Sequence, residues 1–200
     1  MVLASYSEKS DNIAHSFQVF RNAATRHPLN RADPHGPGRG GGRGCYGGGA
    51  AAACRSEILQ HEGKLCRHQY FVLTGCLRKY LLNEKGVEVT TEFALETWWM
   101  SDNRAFEFQT EALFSIQAVE TSKILTIDFQ SQEKLYKDFP VMERYFRFVY
   151  QRAFAAYQMR LKFLYTMSKE DYFFHFYDLY PDFVQRVPQY LLASFLGLTP

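Results

Sequence analysis

The sequence lacks several things, and each absence closes a class of function. No apolar run is long enough to span a bilayer. The start, MVLASYSEKSDNIAHS, has no apolar segment of the kind a secretory leader needs. Net charge is only +2, so bulk electrostatics name no partner. The four cysteines, Cys45, Cys54, Cys66 and Cys76, stand nine, twelve and ten positions apart. That is no metal-knuckle spacing, and it does not suggest a small secreted disulfide scaffold. Reduced thiols in a cytoplasm are the expectation. His61 and His68 do not form a cupin metal pattern, and His175 falls in a helical segment. No Ser/His/Asp set or paired carboxylates stand out, so neither catalysis nor a bound cofactor is expected.

The first 55 residues are poor in aromatics and contain HGPGRGGGRGCYGGGAAAA over 35–53. Such a tract cannot bury enough apolar surface to offset its ordering entropy. It is expected to be a disordered or non-native Gly/Arg-rich tail. An arginine–glycine segment of this kind also suits RNA contact, although there is one short tract and no repeat. Ile13 to Arg26 carries a weak helical pattern, and Glu8 and Asp11 argue against a mitochondrial leader.

From Ser56 the period becomes that of strands. SEILQHEGK runs into a turn at Glu62–Gly63, and HQYFVLTGCLRKYLL breaks at Thr74–Gly75. Asn83 to Gly86 is a hairpin turn, with Gly86 able to take positive φ. VEVTTEFAL alternates, with Val87, Val89, Thr91 and Phe93 against Glu88, Thr90 and Glu92. Two more strands flank Glu120–Thr121–Ser122. Short strands with regular turns suggest a sandwich or barrel over 56–138. Asp128 or Ser131 is placed to cap a short helix through Tyr136.

Phe139 to Met167 is a long helix. Pro140 suits its first turn, and Arg144, Arg147, Gln151, Gln158 and Lys162 form one polar stripe. Two apolar rows remain. One is Met142, Phe146, Val149, Ala153, Ala156; the other is Tyr150, Phe154, Tyr157, Leu161, Leu164. A surface helix needs one apolar face, and a second must be buried against something else. A like helix from another copy is the simplest partner. Ala153 and Ala156 allow close approach, so the first row is expected to form the dimer interface.

Residues 168–200 then read as a capped helix from Ser168, a loop or short turn PDFVQRVP, and a helix Gln189 to Leu196 closed by Gly197. Thr199–Pro200 look like the N-cap and first turn of another helix.

GKLCRHQYFVLTGCLRKYLLNEKGVEVTTEF (Gly63 to Phe93) and QRVPQYLLASFLGLTP (Gln185 to Pro200), in this order around the long helix, resemble the Crp/Fnr family of transcription regulators. The likeness is to its Bacteroidetes-type members in particular and runs from Ser56 to Pro200. It implies an α+β fold: a cyclic-nucleotide-binding-type β-barrel or jelly roll, a dimerisation helix, and the start of a winged helix-turn-helix at 168–200. The family's ribose-binding Gly–Glu is matched here only by Ser101–Asp102, and its phosphate-holding Arg–Ser by Phe114–Ser115. An anionic phosphate needs a cation or clustered N–H donors, and Phe114 is neither. The resemblance therefore implies an effector pocket around Trp98, Trp99, Asp102, Arg104 and Ser115 that does not take cyclic AMP. It implies DNA contact through Tyr190, Ser194 and Thr199, weak or absent without a recognition helix after Pro200. A homodimer in the cytoplasm, with an unidentified effector and no membrane partner, is expected. The other reading is a dimeric scaffold that binds no DNA.

Overall fold

The computed structural model describes residues 50–198. The Gly/Arg tract before Ala50, the helical pattern of Ile13 to Arg26, Cys45 and Thr199 lie outside them. Eight strands come first: β1 (Ala50–Ala53), β2 (Ile58–Gln60), β3 (His68–Thr74), β4 (Leu77–Leu82), β5 (Glu88–Ala94), β6 (Trp99–Met100), β7 (Ser115–Ala118) and β8 (Ser122–Asp128). A short helix α1 (Asn103–Phe108) interrupts them. Then follow α2 (Phe129–Asp138), the long α3 (Val141–Thr166), α4 (Lys169–Leu179), α5 (Pro181–Arg186) and α6 (Gln189–Leu196).

The strands form two four-stranded antiparallel sheets, ordered β1-β8-β3-β6 and β2-β7-β4-β5, and not one closed barrel. Both sheets contribute to the core between them: Tyr70 and Val72 from β3, Leu77 from β4, Ile116 and Ala118 from β7, Ile124 from β8. Alternation sends the neighbours of these residues to the other side. Phe71, Leu125 and Ile127 thus face outward, where α2 and α3 cover them with Leu135, Met142 and Phe146.

Two expectations about chain boundaries need correction. Ala50–Ala53 is not part of a structureless tail, because it pairs with β8 as the first strand and buries Ala53. PDFVQRVP is not a loop, because Pro181 opens the helix α5. The alternation read in β5 also breaks. Lys79 faces Glu92 while Tyr80 faces Thr90, so Thr91 is the extra residue of a bulge, and Thr90 is buried.

The turns follow local chemistry. Gly75 sits at φ +107°, and a Cβ there would lie 2.7 Å from the Ser122 Cα, so the β3–β4 turn needs glycine. Asp128 caps α2 by accepting from the Ser131 N–H at 2.7 Å. Ser168 does the same for α4 with the Asp171 N–H at 3.1 Å. Gly197 closes α6 in the left-handed conformation.

Candidate effector site and the surfaces it reaches

β6 and its flanks bring the candidate residues to the edge of the sandwich. Adjacent strand residues point to opposite faces. Trp98 packs on the core between the sheets. Trp99 goes outward, its ring 5.1 Å from Phe71 and 5.0 Å from Phe146 of α3. Its Nε1–H donates to the Tyr145 hydroxyl at 3.1 Å. Trp99 is therefore a joint between sheet and long helix, not a pocket wall.

Ser101 and Asp102 are both buried. Ser101 Oγ donates to the His68 carbonyl at 3.1 Å. One carboxylate oxygen of Asp102 accepts from the Ala105 N–H at 3.1 Å, and the other from the Leu113 N–H at 2.7 Å. Asp102 is thus the cap of α1 and the anchor of the segment after it, with both oxygens engaged. Ser115 Oγ accepts from the Glu62 N–H at 3.0 Å. Arg104 is exposed on α1. The five candidates do not converge on one cavity, and the space between the sheets beside them is packed with Tyr70, Met100, Ile116 and Trp98. A surface concavity of about 330 Å³ lies elsewhere, along α2 outside the sandwich.

The interior does hold a cation that sequence reasoning missed. Lys79 is buried, its Nζ 2.8 Å from Glu92 Oε2, 3.3 Å from the Ser101 carbonyl and 5.2 Å from the Phe114 ring centre. It lies beside the position implied for the phosphate-holding pair. Glu92 already neutralises it, as a buried ammonium requires. The only signal for it was a charged residue on a strand position that alternation turns inward.

Burial pushes the Cys66 thiol up, and the Cys76 thiol to about 12. Both stay protonated and unreactive at neutral pH. Among the described residues no three His, Cys, Asp or Glu side chains gather into a metal site. No helix among them is long and apolar enough to cross a membrane.

The long helix α3 divides its faces differently from expectation. Met142 and Phe146 of the first row are fully buried against the chain's own sandwich. They belong to the core, not to an interface. Val149 and Ala156 are half-buried and Ala153 is exposed. The second row is the open one, with Phe154 at 61 % and Tyr157 at 49 % exposure, and Tyr150 and Leu164 beside them. A polar network pins the helix register: Gln69 Nε2 donates to the Tyr150 hydroxyl at 2.8 Å, and Gln132 Nε2 to Gln69 Oε1 at 3.3 Å.

The helices after α3 dock back onto the sandwich. Val187 and Leu191 pack with Cys76 and Val119. Ser194 Oγ accepts from the Thr90 N–H at 2.9 Å and donates to the Glu88 carbonyl at 3.2 Å, which covers the edge of β5. Ser194 is thus engaged within the chain rather than free for phosphate, whereas Tyr190 is exposed. Arg186 forks onto Glu96, at 2.7 Å and 3.0 Å, and also binds Glu120. Arg160 of α3 donates to the Phe195 carbonyl at 2.6 Å and lies over its ring.

This order of parts, two antiparallel sheets and a long helix carrying three short ones, recurs in solved structures. FixK2 from Bradyrhizobium japonicum matches with a TM-score of 0.63 at 15% identity over 76% of this chain and 78% of that one. The fold is that of the Crp/Fnr regulators. The c-di-GMP-responsive global regulator CLP of Xanthomonas campestris matches at 0.58, with 10% identity over 76% and 81% of the two chains. A CooA mutant from Carboxydothermus hydrogenoformans matches at 0.55, with 18% identity over 76% and 71%. No protein-family model matches the sequence, and no curated protein does.

The attachment of α5 to the sandwich is pH-dependent by simple linkage. Arg186 holds the Glu96 carboxyl down to about 2, helped by the Gly75 N–H. Glu120 and the neutral Cys76 thiol are the other titratable groups facing it. A depressed carboxyl contributes its full stability above its unfolded value of about 4.3 and loses it as pH falls towards 2. The guanidinium unfolding midpoint of the wild type should therefore fall more steeply below pH 4.3 than that of Glu96→Gln. Parallel slopes would contradict the pairing.

Proposed function

We propose that the chain is the sensor, dimer helix and beginning of the head of a DNA-binding transcription regulator, active as a homodimer. One observation carries this reading. The long helix seals Met142 and Phe146, near its start, against its own sandwich, and leaves a second apolar row open from Tyr150 to Leu164. A 26-residue helix runs about 39 Å. The row bearing Tyr150, Phe154, Tyr157, Leu161 and Leu164 covers about 21 Å of it and suits a second copy of itself. The dimer interface is therefore proposed at the second apolar row, with Ala153 at its margin.

Two copies would present two heads related by a two-fold axis, so the target would be a two-fold symmetric DNA site. The product of the full reading frame, mixed with random duplex DNA, should enrich one such motif. Recovery of DNA without a motif would sink the regulator reading and favour the scaffold. That second reading has its own support, since the sheet interior is packed and Asp102 is used as a cap.

The same packing argues against a cyclic nucleotide. Lys79 is neutralised by Glu92, and the Phe114 ring stands beside it. Cyclic AMP, or the cyclic dinucleotide to which CLP responds, should leave the melting temperature unchanged at micromolar levels. A saturable upward shift would contradict this.

A further inference from the structure

We propose that the β5–β6 turn, residues 95–98, is a strained lever that couples the docking of the α5–α6 head to the packing of Trp98 and Trp99. The inference deepens the regulator reading and borrows its purpose from it, but the geometry stands apart from any DNA.

Thr97 has φ +71°. A residue branched at Cβ avoids that region, and a strained residue persists only where its surroundings hold it. Here both sides hold it. On the sandwich side the Thr97 N–H donates to the Val72 carbonyl at 2.9 Å, the Val72 N–H to the Trp98 carbonyl at 3.0 Å, and the Trp98 N–H closes the turn on Leu95 at 3.1 Å. On the head side Glu96 is gripped by the Arg186 fork and by the Gly75 N–H at 2.8 Å. One residue beyond Thr97 lies Trp98 in the sheet core, and the next is Trp99 against α3.

Three surfaces thus meet at one strained peptide. While Arg186 holds Glu96, the turn stays wound. When the head lifts, Glu96 loses its main restraint and Thr97 relaxes to negative φ. That rotation moves the peptide carrying Trp98 and with it the Trp99 contact on α3. Coupling is reciprocal, so displacement of either tryptophan loosens the head.

Trp98 and Trp99 are the chain's two tryptophans, so tryptophan emission, excited at wavelengths where tyrosine does not absorb, reads this turn and its contacts. In the full chain, Arg186→Gln should speed amide exchange over 181–196 by about tenfold, the size of a local opening released from one charged fork. It should also shift the emission and at least roughly double acrylamide quenching. In a Thr97→Gly background, with Thr97→Asn as the second variant, Arg186→Gln should still speed exchange but leave emission unmoved, because no strain remains to relax. Unchanged exchange in Arg186→Gln would overturn the docking clamp. Unchanged emission, or an equal emission change with and without Thr97, would overturn the lever. Neither readout uses DNA, so failure to select a motif would remove the regulator reading and leave these results standing.

Discussion

Replacing Phe146 by alanine should destabilise the chain by about 3–5 kcal/mol, the usual cost of deleting a buried aromatic ring. Phe146 is 2 % exposed. Its ring meets Trp99 at 5.0 Å, Tyr145 at 5.3 Å and Tyr136 at 5.6 Å, so it joins β6, α2 and α3 in one cluster. A cavity there cannot be refilled without moving either the helix or the sheet. Chemical denaturation followed by tryptophan emission measures it. Phe148→Ala, two residues on and 44 % exposed, should change stability by no more than about 0.5 kcal/mol. Equal effects in the two variants would mean that α3 does not pack on the sandwich through Phe146.

Phe154→Glu should separate the proposed dimer while leaving each chain folded. Phe154 is 61 % exposed in the single chain, so a carboxylate there costs the fold little. In a symmetric pair the same carboxylate would be buried beside its own copy, and both charges would lose water. The expected loss is about 3 kcal/mol or more, which is over a hundredfold in dissociation constant. Sedimentation should show a single chain with an unchanged circular dichroism spectrum. A dimer unaffected by the change would place the contact on another surface.

The two variants together separate the faces of one helix, which the sequence alone could not do. Both apolar rows repeat at helical spacing, and nothing in either row says which one a sheet will cover. That choice is made at long range, by Phe71, Leu125 and Ile127 turning outward from β3 and β8. Features set by a few neighbouring residues were readable. The turn at Gly75, the caps at Asp128 and Ser168, and the closing Gly197 each follow from one residue's backbone or side-chain chemistry. β1 was unreadable because four alanines favour helix and acquire strand geometry only from the β8 ladder. α5 is not legible because a proline reads equally as the end of one helix and as the first-turn residue of the next, the part Pro181 plays.

The candidate site was legible in place but not in use. Trp98 and Trp99 do point to opposite faces, and the segment does lie at the sandwich edge. Asp102, in contrast, resembled a ligand-binding acid only by its position in a motif, and its two backbone partners show a capping role. Lys79 left only its inward strand position as a signal, and a charged residue on a strand normally marks the wet face. Its partner Glu92 lies across the ladder, next to a bulge that alternation does not announce. Contacts between residues far apart in the chain, such as Arg186 with Glu96 and Ser194 with Thr90, leave no local trace at all.

The mass of the unmodified chain in solution bears most directly on the divided helix. Equilibrium sedimentation at tens of micromolar should return twice the 23.3 kDa of one chain. A mass of one chain across that range would mean that Tyr150, Phe154, Tyr157 and Leu164 face water, and the account of α3 would be wrong.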